Sequence, residues 1–241
     1  MIKKPREHQI DCIESVINGF KDVNRLQVRM ACGTGKTLVG LWVLERLNSQ
    51  LSLVLLPSLN LVSQISGQYY ENSRCDFESL YICSKSDITP NGPTIDLEEL
   101  DFKVTQNPIE VKDFVDNSSG KKIIFCTYQS SHVLSTAFSN ISDIGFDITI
   151  ADEAHWTSSE EFSKHSFILD NELIRSRRRL FMTATPGEAM NDFSVYGKVA
   201  YELSPYTARK LNLITDYRIV ISSIDNMLLS EKLSENSWIE S

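Results

Sequence analysis

The sequence contains no run of about 18 apolar residues, so no segment of it has the length and hydropathy of a membrane-crossing helix. Its opening residues, MIKKPREHQIDCIE, carry charge without a following apolar stretch. That excludes a secretory leader at this position and predicts a cytoplasmic protein with no membrane association. Cysteine is scarce: Cys12, Cys32, Cys75, Cys83 and Cys126 form an odd set with no C-x-x-C pair. The pattern argues against a disulfide framework and against a zinc site, and fits reduced, mostly buried thiols. The four histidines are scattered, and His155 and His165 stand at a spacing that matches no helical ligand pair. Positive charge is in deficit, with 24 Lys and Arg against 32 Asp and Glu and a net charge of −8. The domain as a whole is therefore no electrostatic sink for nucleic acid, and any such contact has to be local. There is no internal repeat, no low-complexity tract and no second carboxylate cluster that would make a nuclease centre.

What is present is a 241-residue chain, 41% hydrophobic, long enough to bury a sizeable core. Short apolar runs rich in β-branched residues predict strands at Leu26–Ala31, Leu51–Leu56, Ser79–Cys83, Lys122–Cys126, Asp147–Ala151 and Arg179–Thr183. Helical periodicity marks Thr37–Asn48 and Leu59–Tyr70. Strand and helix in alternation predict an α/β fold, a mainly parallel sheet with helices on both faces. Ligands of such sheets bind outside the carboxyl ends of the strands. The irregular stretch Ser84–Gln106, with TPNGP and DLEELD, reads as a surface insertion. After Gly187 a strand at Val199–Leu203, a short helix at Tyr206–Leu211 and a strand at Tyr217–Ile221 are expected. The densest basic cluster, Arg175, Arg177, Arg178 and Arg179, reads as a solvated helix end whose cations complement the dipole, with phosphate binding as the alternative.

Two segments carry chemistry. MACGTGKT, Met30–Thr37, follows the first predicted strand and opens a helix, the context of a phosphate-binding loop. Gly33 and Gly35, around Thr34, allow backbone N–H groups to converge on one anion. Lys36 would meet the β and γ phosphates, and Thr37 would offer its hydroxyl to Mg²⁺ at a helix N-terminus. The strict pattern has glycine where Met30 stands, a departure that leaves the phosphate-binding groups untouched. FDITIADEAH, Phe146–His155, is an apolar strand ending in Asp152 and Glu153, on the same sheet edge as the glycine loop. Asp152 is expected to hold Mg²⁺, and Glu153 to orient and deprotonate the attacking water.

MACGTGKT, DEAH and MTATP at Met182–Pro186 together resemble motifs I, II and III of superfamily 2 DEAD/DEAH-type helicases, in the right order. The spelling of the first resembles the motor subunits of restriction and phage-defence systems. The resemblance spans roughly residues 5–221 and implies a RecA-like P-loop NTPase lobe with ATP and Mg²⁺ as cofactors. It implies further that Arg6 and Gln9 match the upstream element that reads adenine. Pro57, Ser58 and Gln64, with Thr127, Tyr128 and Gln129, look like motifs used on a nucleic-acid backbone. His155, Thr183 and Thr185 would couple the ATP site to the other motifs. DNA is the expected partner rather than RNA.

The same resemblance implies a two-lobed motor with ATP between the lobes. Residues 1–204 match the first lobe and residues 205–241 the connector out of it, leaving too few residues for a second. A second RecA-like lobe, supplied in trans or by further sequence, is therefore expected, and the isolated chain is expected to bind Mg-ATP while hydrolysing it slowly. A nucleotide-gated binding module is the alternative, although Glu153 would be idle in a protein that only binds.

Overall fold

The computed structural model of the chain describes residues 2–84, 104–117, 120–139, 145–158 and 168–216. Their centre is a sheet of eight strands, all paired in parallel, in the order β4-β3-β5-β2-β6-β7-β1-β8. The strands are β1 Arg25–Met30, β2 Leu51–Leu56, β3 Glu78–Ile82, β4 Val104–Thr105, β5 Lys122–Thr127, β6 Ile148–Asp152, β7 Arg179–Thr183 and β8 Lys198–Leu203. Because all run the same way, every carboxyl end lies along one edge of the sheet. The helices are α1 Glu7–Gly19, α2 Lys36–Arg46, α3 Leu59–Asn72, α4 Pro108–Asp116, α5 Ser131–Phe138, α6 Phe193–Tyr196 and α7 Pro205–Lys210. This is the expected RecA-like α/β architecture.

Alternation along the strands divides the core into two layers. Val54, Leu56, Ile123, Phe125, Ile150, Leu180 and Met182 pack with Val16 of α1, Leu41 of α2 and Val62 of α3. Leu53, Leu55, Ile124, Cys126 and Phe181 pack on the opposite face with Val111 of α4 and Val133 and Leu134 of α5. Helices therefore cover both faces, which is why the central strands are apolar throughout. Full burial of one such leucine is worth about 1.5–3 kcal/mol, so both layers are needed to hold the edge that carries the site.

Two expectations are corrected. The stretch Ser84–Gln106 is more than an irregular insertion, because Val104 and Thr105 form β4 by pairing with Tyr81 and Ile82. Residues 85–103 lie outside the described residues, as does the expected strand Tyr217–Ile221. The arginine cluster is no helix end either. Arg179 begins β7 and is buried, with its guanidinium donating to Ile168 O at 2.7 Å, Ile174 O at 2.5 Å and Asn171 Oδ1 at 2.6 Å. Burial pulls its pKa down to about 10. The group is a structural tie for the turn 168–176, which the local sequence conceals because its partners are mainly backbone carbonyls.

Candidate nucleotide site

At the carboxyl end of β1 the chain turns through residues 31–35 and enters α2. Thr34 closes the turn by donating its Oγ1 to Ala31 O at 2.6 Å. Gly33 and Gly35 hold φ of +79° and +85°, a region that side-chain-bearing residues enter only at a cost. Gly35 has a second reason to be glycine, since a Cβ there would overlap Gln9 Nε2. The loop thus leads into the N-terminus of α2, whose first-turn N–H groups have no partner within the helix itself.

Gln9 and His8, on the first turn of α1, brace the loop from behind. Gln9 Nε2 donates to Thr34 O at 3.3 Å and Gly35 O at 3.2 Å, while its Oε1 accepts from Arg6 N at 2.8 Å. His8 Nε2 lies 3.0 Å from Thr34 O. Both ends of the Gln9 amide are therefore engaged with protein groups, and the side chain ties α1 to the loop while lining the cleft. Arg6 is exposed and lines the cleft in front of it.

The carboxylates arrive from β6, separated from β1 by β7. Asp152 is the last residue of β6 and is buried, and Glu153 follows with φ of +48°. Burial in the sheet edge, together with the neighbouring Glu153 charge, pushes the Asp152 pKa up to about 6, against the opposing pull of Lys36 and the Glu153 N–H. Lys36 Nζ lies 3.5 Å from Glu153 Oε1, and His155 Nδ1 lies 3.5 Å from Glu153 Oε2. His155 Nδ1 is also 3.0 Å from Thr183 Oγ1, at the end of β7, and 3.4 Å from Thr185 Oγ1. Lys36, Glu153, His155 and Thr183 thus form a continuous polar chain across three strands. The cleft in front of them measures about 660 Å³ and is lined by Arg6, Gln9, Gly33, Thr34, Gly35, Lys36, Thr37, Asp152 and Glu153.

The residues expected at a nucleic-acid backbone are distributed differently. Pro57 is buried, and Ser58 caps α3 by accepting from Leu61 N at 3.5 Å. Thr127 is buried at the end of β5, and Tyr128 is buried with its hydroxyl donating to Asp152 O at 2.6 Å. Burial also drives the Tyr128 pKa well up, which keeps the phenol a donor. Gln129 is half-buried, and its Oε1 is buried with no hydrogen-bond partner among the described residues. Gln64 is exposed but lines the same cleft as the glycine loop, on one face of α3 with Leu61 and Gln68. Four of these six side chains are internal because they cap or seal strand ends. Sequence reading also passed over Lys3, Lys4, Trp42 and Gln68 as cleft residues. Of these, Trp42 alone carried a signal, six residues beyond Lys36 in the same helical run.

Comparison with known proteins finds helicase and restriction-enzyme relatives. A family described as "Type III restriction enzyme, res subunit" matches residues 2–188. A probable helicase of African swine fever virus is 27% identical over 217 residues, an alignment covering 86% of this chain and 23% of the viral protein. Among solved structures, a DNA-bound ATP-dependent Type ISP restriction-modification enzyme, LlaBIII, superposes with a TM-score of 0.80 at 25% identity, over 98% of this chain and 18% of that one. A nuclease-deletion mutant of the Type ISP enzyme LlaGI, in complex with a DNA substrate mimic, gives 0.76 at 27% identity, over 89% of this chain and 18% of that one.

Proposed function

Because this chain belongs to the type III restriction enzyme res subunit family and is a first RecA-like lobe of the superfamily 2 helicase kind, we propose that it binds Mg-ATP in the cleft at Gly33–Thr37 and couples hydrolysis to contact with DNA. The observation that carries this reading is the ion-paired approach of Lys36, at the start of α2, and Glu153, just after β6, beside a loop with two left-handed glycines.

The residues present suit the ligands. A cleft of about 660 Å³ lies in the range of small-molecule and cofactor sites. The buried Asp152 carboxyl, whose pKa is pushed up to about 6, gains what it lacks when a cation is beside it. Thr37 and Asp152 would hold Mg²⁺, which when bound neutralises charge on the phosphates. The Gly33–Thr37 amides and Lys36 would bind the β and γ phosphates, and Arg6, with Gln9 behind it, would border the adenine. Glu153 would orient a water and accept its proton. Its carboxylate is steadied for that role by Lys36 on one oxygen and His155 on the other.

DNA is favoured as the track by the two Type ISP relatives, whose structures were determined with DNA or a DNA substrate mimic. The chain spans 23% of the viral relative's length and 18% of each Type ISP relative's. A second RecA-like lobe, from further sequence or from another chain, would complete the site with arginines, a contribution worth about 10³–10⁵ in rate in related phosphoryl transfer. The test is phosphate release from Mg-ATP with duplex DNA, single-stranded DNA, duplex RNA or no nucleic acid. Stimulation by duplex DNA supports the reading, and turnover indifferent to all three nucleic acids contradicts it.

A further inference from the structure

Tyr128 stands between two parts of the molecule that have to communicate if the proposed function is right, and the inference rests on that function. Its ring is buried directly after β5, in the core layer that also holds Ala151 and Ala154. Its hydroxyl donates to the carbonyl oxygen of Asp152 at 2.6 Å. The N–H of the same peptide group, belonging to Glu153, donates to Asp152 Oδ1 at 3.0 Å. The Asp152–Glu153 peptide is therefore held on both sides, by a phenol at its oxygen and by a carboxylate at its nitrogen. That plane sets the direction of the Glu153 side chain, and Glu153 occupies a backbone conformation, φ +48°, that persists in non-glycine residues only where the surroundings enforce it.

The next residue supplies the second half. Gln129 is half-buried, and its amide oxygen is buried without a hydrogen-bond partner among the described residues. A buried polar atom left unpaired is a standing cost that a rearrangement of the segment can relieve. The turn carrying it is otherwise firmly built, with Tyr128 N donating to Leu56 O at 3.0 Å and Ser131 Oγ to Tyr128 O at 2.7 Å. Gln129 directly follows Tyr128 in this turn, so a rearrangement there would bear on the Tyr128 ring and, through its hydroxyl, on one peptide bond.

We propose that Tyr128 is a positioning residue for the water-activating carboxylate, the Tyr128 hydroxyl orienting the Asp152–Glu153 peptide so that a change at Gln129 on nucleic-acid contact is felt at Glu153. Burial of the phenol keeps it protonated and donating throughout the working pH range.

The experiment uses the full chain as wild type, Tyr128→Phe and, as a control for loss of another buried-side hydroxyl contact, Tyr196→Phe, whose hydroxyl lies 2.9 Å from Thr157 Oγ1. Two readouts are taken, hydrogen exchange at the Glu153 and Ala154 amides and ATP turnover with and without duplex DNA. Tyr128→Phe is expected to speed exchange at those amides at least ten-fold while phosphate-loop amides change less than two-fold. Its DNA-stimulated kcat is expected to fall at least ten-fold, with KM for ATP within two-fold of wild type, and Tyr196→Phe is expected to do neither. Unchanged exchange at Glu153, or a loss that appears in KM alone, overturns the inference. A wild-type chain that neither binds nor hydrolyses Mg-ATP overturns the functional reading instead, and the exchange readout then decides the role of Tyr128 by itself.

Discussion

Asp152→Asn is predicted to make the nucleotide-free protein more stable while removing its Mg²⁺ site. In the folded chain burial and the Glu153 charge raise the Asp152 pKa from the ordinary 3.8 to about 6. Below pH ~4 the carboxyl is protonated in folded and unfolded chains alike, and its ionisation costs nothing. Between pH ~4 and ~6 the unfolded chain ionises it first, so this group increasingly opposes folding as pH rises. Above pH ~6 the opposition is complete and, at about 1.4 kcal/mol per pH unit of displacement, amounts to about 3 kcal/mol. Asparagine keeps an oxygen to accept the Glu153 N–H and carries no charge, so the substitution should recover most of that amount. For a chain of this size the gain corresponds to about 6–12 °C in Tm. Urea unfolding in EDTA at pH 7.5 and at pH 5 measures it, with the gap between variant and wild type shrinking to roughly half at the lower pH. Adding Mg-ATP should then stabilise wild type and leave Asp152→Asn nearly unchanged, the expected exchange of stability for function at a binding site. A variant no more stable than wild type at pH 7.5, or a gap independent of pH, refutes the reasoning.

Gly35→Ala forces a Cβ onto a left-handed residue and into Gln9 Nε2, and is expected to cost about 1–2 kcal/mol of stability and at least ten-fold in ATP affinity, read by denaturation and nucleotide titration. Arg179→Met strips hydrogen bonds from buried carbonyls of Ile168 and Ile174 and should destabilise by at least ~3 kcal/mol, with Arg179→Lys unable to restore the fork; chemical unfolding of the three proteins checks it. His155→Ala removes the bridge between Glu153 and Thr183, so ATP affinity should persist within about three-fold while turnover falls at least ten-fold, a split that parallel binding and steady-state assays resolve.

The strands that carry the site were legible in the sequence because they are buried on both faces. Leu51–Leu56 and Arg179–Thr183 match the observed β2 and β7 residue for residue, and the other predicted strands within the described residues shift by one residue or less at either end. Apolar composition alone marks such strands. The two-residue β4 was not legible, since it exists only through its pairing with Tyr81 and Ile82. Gly33, Gly35, Lys36, Asp152 and Glu153 line one cleft, as expected from their sequence positions, because phosphate and metal chemistry restricts which residue types are candidates. The contacts that Gln9 and Tyr128 make inside the protein were not legible, for the opposite reason. Their side chains reach backbone carbonyls, and nothing in a sequence marks which carbonyl a buried donor will find. Gln64 shows a third limit, because α3 alone makes it exposed while the packing of α3 beside α2 places it on the cleft.

The central claim is that the cleft at Gly33–Thr37 binds Mg-ATP through Lys36 and acts on it through Glu153. Equilibrium titration of the chain with ATP in the presence and absence of Mg²⁺, for wild type, Lys36→Ala and Glu153→Gln, tests it most directly. The account predicts Mg²⁺-dependent binding by wild type and Glu153→Gln, with affinity lowered at least ten-fold in Lys36→Ala. Wild-type affinity in Lys36→Ala, or binding indifferent to Mg²⁺, contradicts it.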